Sequence, residues 1–318
     1  MTERYTRREF LGTVAQVTGT LAAATLLPQA AGATPLPQRV LGRTGTRVSI
    51  LGLGFGPLGL APYSPAELLA VAEAALDEGV SYFDLQPDYG EAERHLAPLL
   101  QRRRRDVFLV TKTWEPTRAA ALASLEESLR RLQVEYLDAV LLNNVGLLDL
   151  GQLLAPDGAV AGLKEAQKKG LVRFLGVSGH MRAAAILRAL GTDEFDIAMV
   201  PINFVDCHTY DFEAKVLPVA AKHGVGLVGM KVLGGAVDYS TRQQCALLPG
   251  EDHDLAIRYT LAVPGVACAV IGCKNVEEMR LAAQVARRFR PLSPEENELV
   301  WARGRALAVQ WGQHLGEV

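Results

Sequence analysis

The chain reads as a closed (β/α)8 barrel on three observations. From about residue 49, short apolar, β-branched runs alternate with longer stretches of helical period. Eight strand patterns are each followed by a helical one, the repetition a parallel barrel requires. The polar residues best suited to chemistry stand at or just past the ends of the strand runs, where such a barrel keeps its working mouth.

Ahead of the barrel, QRVLGRTGTRVS (38–49) places a Thr-Gly turn between two short runs and predicts a hairpin closing the barrel bottom. Strands follow at 49–55 (SILGLGF), 81–85 (SYFDL), 107–112 (VFLVTK), 136–142 (YLDAVLL), 172–178 (VRFLGVS), 197–203 (IAMVPIN), 224–231 (GVGLVGMK) and 267–272 (ACAVIG). Helical periodicity covers 64–79, 91–102, 116–132, 160–170, 182–191, 211–224 and 251–265, and an eighth helix occupies 275–289. Several of these helices begin after Ser, Asp or Pro and stop at Gly79, Gly170, Gly191 or Gly224. The last segment, 293–311, predicts a helix packed outside the barrel. An open doubly wound sheet is the rival. LGLGFGPLG holds a G-x-G, yet no acidic residue follows roughly twenty positions later in a strand–helix–strand setting. Gly52, Gly54 and Gly56 instead predict a tight loop ending the first strand. No linker divides the chain, so 34–318 is expected to be one domain.

The chain has 318 residues, 49% hydrophobic and 21% charged, with a net charge of −2, enough for one large core. That charge leaves no footprint for nucleic acid or an acidic membrane surface as a partner. The run Arg102–Arg105 reads as a solvated helix end, where cations complement the macrodipole. Residues 1–33 stand apart. TRREFLG presents Arg7 and Arg8, a weakly apolar stretch follows, and Ala31-Gly32-Ala33 offers a small-residue cleavage site. The segment resembles a twin-arginine export signal, which implies the twin-arginine export machinery as a partner and an exported, periplasmic destination. A membrane anchor is the alternative, disfavoured by the Ala, Gly and Thr content. Cys207, Cys245, Cys268 and Cys273 have neither CxxC nor zinc-type His spacing, so no metal or iron–sulfur cluster is expected.

Asp84 ends the second strand, Tyr89 lies in the loop after it, Lys112 ends the third strand and Asn143 follows the fourth. Neighbouring strands can bring all four together. A carboxylate would hold the ammonium, and the ammonium would favour the ionised form of a nearby phenol. Free tyrosine titrates at about 10, so such tuning suits proton exchange with an alkoxide. The structural alternative is an Asp–Lys pair that caps a buried layer, with Tyr89 as rim packing.

Nearly the whole chain beyond the first 40 residues resembles the aldo-keto reductases. YFDLQPDYG matches the family's FDTAxxYG, FLVTKTW its strand-three lysine segment, and GLVRFLGVSGH its GxxRxxGVSN. NFVD, MKVLGG and LAVPGVACAVIG follow in family order. The resemblance implies a nicotinamide cofactor, NADP in preference, bound across the mouth. It also implies a small-molecule substrate, with Asp84, Tyr89, Lys112 and Asn143 as the catalytic positions. Carried over by position, Gly54, Ser178, Gly179 and Met199 meet the cofactor, Ser178 at its carboxamide. Met230, Lys231, Leu233 and Gly234 flank the nicotinamide and pyrophosphate. Gly272, Lys274 and Met279 meet the adenosine phosphate at a helix N-terminus, where anions are favoured. Phe55 and Trp114 fall at the substrate-pocket walls.

Several positions depart from the family pattern. The family's histidine is Asn143, which offers a neutral N–H but cannot become cationic. In one branch a glutamate here accompanies reduction of a carbon–carbon double bond, so the position governs reaction type. Gly179 stands for an asparagine, Met199 for a glutamine and Met230 for a stacking aromatic, while an adenine-gripping Glu-Asn pair falls near Leu281 and Ala282. Two functions stay open. One is an NAD(P)H-dependent oxidoreductase acting on a carbonyl or activated double bond, with Tyr89 as general acid. The other is a non-redox descendant that binds a ligand or moves a proton and uses no nicotinamide. His180 and His208 read as polar loop residues, since no acidic partner stands at ligand spacing. No feature of the sequence specifies the substrate or the oligomeric state.

Overall fold

Two short antiparallel strands, β1 (Gln38–Val40) and β2 (Arg47–Ser49), pair Arg39 with Val48 and precede the barrel. The barrel strands are β3 (Leu51–Gly54), β4 (Tyr82–Asp84), β5 (Phe108–Thr113), β6 (Leu137–Leu142), β7 (Val172–Ser178), β8 (Ile197–Pro201), β9 (Gly226–Met230) and β10 (Val266–Ile271). Each pairs in parallel with the next, and β10 pairs with β3 to close the ring. The computed structural model describes residues 35–235 and 246–318, so segment 1–33, where an export signal is expected, and Cys245 lie outside the described residues. Leu36–Val318 form one compact unit.

Strand alternation divides the core in two. Tyr82, Phe108, Val110, Ala139, Leu141, Met199 and Val228 fill the barrel interior. Leu53, Phe83, Leu109, Val140, Leu142, Leu175 and Val200 face outward into the layer beneath the helices. The apolar runs are therefore continuous, because both faces of every strand are covered. The same parity carries Asp84, Lys112 and Ser178 inward at the strand ends.

The helices start where their caps predict. Ser64 accepts from the backbone N–H of Glu67 while Glu67 returns to Ser64, a capping box opening Pro65–Asp77. Ser293 and Glu296 repeat it for the last helix, Pro294–Trp311. Gly79, Gly170 and Gly224 end helices with positive φ, as expected, whereas Gly191 stays right-handed at φ −68°. The hairpin plugs the bottom as expected. Leu41 and Val48 join the interior cluster, and the N–H of Arg43 donates to the Gly224 carbonyl at 2.6 Å.

One local expectation fails. Gly52, Gly54 and Gly56 are expected to end the first strand in a tight loop, yet Gly52 and Gly54 lie within β3 and Gly56 opens a short helix, Gly56–Leu60, with Pro57 in its first turn. A Cβ on Gly59 would overlap the carbonyl of Tyr89. Gly59 serves a close approach of two backbones, which a linear sequence does not reveal. A second short helix, Leu150–Leu154, is also additional to the predicted set. Among the described residues no helix is long and apolar enough to cross a membrane.

Candidate active site

A cavity of about 750 Å³ opens at the C-terminal ends of the barrel strands. Asp84, Tyr89, Lys112, Asn143 and Ser178 meet at one end of it. Lys112 Nζ donates to both carboxylate oxygens of Asp84, at 2.6 and 2.7 Å, and to the Leu85 carbonyl at 3.0 Å. Both side chains are buried, 3% and 5% exposed, so the pair must satisfy itself internally. Burial pushes the Asp84 carboxyl above its ordinary value, opposed by the charge and hydrogen bonds of Lys112 and, further off, by Lys231. The ammonium also lies 5.5 Å from the ring centre of Tyr89.

Asn143 is held from two sides. Its Nδ2 donates to Gln86 Oε1 at 3.0 Å, and its Oδ1 accepts from Ser178 Oγ at 3.0 Å. Gln86 Nε2 in turn donates to Asp88 Oδ2 at 3.0 Å, the oxygen that also accepts from Trp114 Nε1 at 2.8 Å. The chain of bonds runs from the rim at Trp114 to the buried hydroxyl of Ser178. It fixes the Asn143 amide and leaves one of its two N–H groups for a ligand. Gln86, where the quoted motif has alanine, was not singled out from sequence. Its position two residues past Asp84 on the same parity was the available signal.

A second network holds the loop after β9. Asn203 Nδ2 donates to the Lys231 carbonyl at 2.9 Å and to Asp206 Oδ2 at 2.7 Å, while Asp206 Oδ1 lies 2.7 Å from His314 Nε2. The C-terminal segment thus braces Lys231, which sits at φ +55°, a conformation that non-glycine residues adopt only when their surroundings enforce it.

Of the residues expected at a cofactor or substrate, Gly54, Ser178, Met230, Lys231, Leu233, Gly234, Gly272 and Lys274 line the cavity. Five do not. Phe55 is fully buried against Phe83, with ring centres 5.4 Å apart, because it shares the outward parity of Leu51 and Leu53. Gly179 turns outward for the same reason, and a Cβ there would meet Ile186. Met199 points inward but lies within the barrel filling, below the cavity. Met279 is buried among the outer-layer residues. Trp114 stands at the rim and contributes through Asp88 rather than as a cavity wall. Gln284 and Arg288, which no motif marks, also line the cavity, as does His180, which the sequence presents only as a polar loop residue.

The cavity suits a dinucleotide in part. It runs from the Asp84–Lys112 pair to Lys274 and Arg288, so cations stand at the end where phosphate would lie. The expected anion site on the helix N-terminus is, however, already filled from within. Glu278 Oε2 accepts from the backbone N–H of Lys274 at 2.7 Å, and Asn275 Oδ1 accepts from the N–H of Glu278 at 2.9 Å. An adenosine phosphate would rest on the side chains of Lys274 and Arg288 or displace Glu278. Among the described residues no cluster of His, Cys, Asp and Glu could hold a metal ion.

Comparison with known proteins agrees with this geometry. The profile of the Aldo/keto reductase family matches residues 50–254. L-galactose dehydrogenase of Arabidopsis thaliana is 24% identical over 310 residues, covering 84% of this chain and 93% of that protein. D-threo-aldose 1-dehydrogenase of a Pseudomonas species is 27% identical over 255 residues, covering 67% and 76%. An aldo-keto reductase of Klebsiella pneumoniae, solved in complex with NADPH, superposes with a TM-score of 0.67 at 22% identity, over 82% of this chain and 93% of that one. With its eight-stranded barrel, its Asp84–Lys112 pair beside Tyr89 and a family match over most of its length, the chain belongs to the aldo/keto reductase family.

Proposed function

We propose that the protein is a nicotinamide-dependent oxidoreductase that interconverts a carbonyl and an alcohol, with NADPH the expected donor and Tyr89 the proton donor. The observation that carries this reading is the buried Lys112 ammonium, clamped by Asp84 and lying 5.5 Å from the Tyr89 ring. A fixed cation beside a phenol stabilises phenolate, so Tyr89 can release its hydroxyl proton and recover it. When bound, the reduced nicotinamide supplies a hydride to the carbonyl carbon. The chain supplies everything else. Tyr89 Oη gives its proton to the carbonyl oxygen as that oxygen gains charge, and the alcohol results. Asp84 holds Lys112 in place, and the remaining N–H of Asn143 orients the oxygen. Met230, Lys231 and Leu233 would flank the donor, and Lys274 with Arg288 would hold its phosphates.

The test is Tyr89→Phe, which removes one hydroxyl from a rim side chain. Turnover of a panel of aldehydes and ketones falls by roughly 100-fold or more, the usual worth of a positioned acid, while NADPH titration followed by fluorescence quenching is unchanged. Retained turnover would remove Tyr89 from the mechanism. The Glu278 carboxylate at the adenosine end favours a second reading, a barrel that binds a ligand without a nicotinamide. Absence of saturable quenching by NADPH or NADH in the wild-type protein would put that reading first.

A further inference from the structure

Asn143 can polarise a substrate oxygen with one N–H at most, because its amide is otherwise engaged. The neighbouring strand end offers another group. His180 follows Ser178 by two residues after β7, is half-buried, and lines the cavity together with Asp84, Tyr89, Lys112 and Asn143. Its backbone N–H donates to Asn144 Oδ1 at 3.3 Å, which ties it to the loop that carries Asn143. Among the described residues its ring makes no hydrogen bond. The polar side chains around it are spoken for: Lys112 by Asp84 and Leu85, Asn143 by Gln86 and Ser178. The ring nitrogens are therefore open to the cavity, where a bound molecule can accept or donate a hydrogen bond to them.

We propose that His180 is a further catalytic residue, a hydrogen-bond donor to the carbonyl oxygen of the substrate that supplies the imidazole absent at position 143. The assignment rests on the oxidoreductase reading above and deepens it. Burial, followed by the charges of Lys231 and Lys112, holds the His180 ring well below the ordinary histidine value. The ring therefore carries one N–H and no charge under neutral conditions. It releases no proton. Tyr89 does that, while the imidazole N–H stabilises the charge that grows on the oxygen, as a positioned donor in an oxyanion site does. A neutral donor also adds no third cation beside Lys112 and Lys231.

Two substitutions separate this role from a structural one. His180→Phe keeps a ring of similar volume and removes both nitrogens, whereas His180→Gln keeps an N–H donor. With 4-nitrobenzaldehyde and NADPH, His180→Phe is expected to lose about 100-fold in kcat, and His180→Gln about tenfold or less, with the NADPH Kd and thermal midpoint unchanged in both. A second readout needs no turnover. In the dead-end mixture of oxidised cofactor and the aldehyde, the 15N signals of the His180 ring, identified by their loss in His180→Phe, shift on saturation. Unchanged kcat in His180→Phe, or ring signals that stay in place at saturating aldehyde, would overturn the assignment and leave the oxidoreductase reading standing. No quenching by either cofactor and no turnover in the wild-type protein would overturn both.

Discussion

Replacing Lys112 by methionine leaves the Asp84 carboxylate, 5% exposed, without the ammonium 2.6 Å away. The loss of one partner from a buried pair costs about 3–5 kcal/mol. The Leu85 carbonyl loses its donor as well, about 1 kcal/mol more. The variant can limit the charge term by protonating Asp84. From an unfolded value of about 3.9, at about 1.36 kcal/mol per pH unit, that escape costs about 5.6 kcal/mol at pH 8 and about 1.5 kcal/mol at pH 5. The variant's folded Asp84 titrates above the unfolded value. Its deficit is therefore small below about pH 4 and grows as pH rises towards the folded value. Wild-type Asp84 is also raised, with the same sign, but Lys112 opposes the shift. Urea unfolding followed by tryptophan fluorescence should show the variant about 4–6 kcal/mol less stable at pH 8 and about 2–3 kcal/mol less stable at pH 5. Asp84→Asn combined with Lys112→Met removes both charges and should recover most of the loss at pH 8. A deficit below about 1 kcal/mol at pH 8, or one equal at both pH values, would refute the argument that an uncompensated buried charge is what the variant suffers.

Two further substitutions test the two ends of the barrel. Asp138, buried at the start of β6, accepts from the Leu109 N–H at 2.9 Å, Arg104 Nη2 at 2.8 Å and Arg173 Nη1 at 2.7 Å. Asp138→Ala leaves the buried Leu109 N–H without an acceptor and should lower stability by about 1–3 kcal/mol in urea titration, with m unchanged. Gly59→Ala places a methyl group against the Tyr89 carbonyl. It should cost about 1–3 kcal/mol by thermal unfolding and lower kcat by moving the Tyr89 loop, while NADPH binding at the far end of the cavity stays intact.

The sequence alone determined the barrel. Strand length, helix caps at Ser64 and Ser293, and the order of eight strand–helix pairs are local properties of the chain, and the barrel strands and their main helices formed where their own residues favour them. It also determined the inner end of the site, because Asp84 and Lys112 lie near the ends of the neighbouring strands β4 and β5, and Ser178 ends β7 one strand beyond β6, all on the inward parity. The tertiary structure decided what lies one residue or one layer away. Phe55 and Gly179 fall on outward parity, Met199 lies a layer too deep, and Met279 turns into the core, so position in a family pattern overstated their reach. Closure also created partnerships that no local pattern encodes: Gln86 with Asn143, and the meeting of His180 with Lys112 and Lys231 at one cavity. The physical reason is range. Helix and strand formation respond to neighbours within a few residues, whereas a hydrogen bond such as Gln86–Asn143, 57 positions apart in the chain, exists only after the barrel has closed.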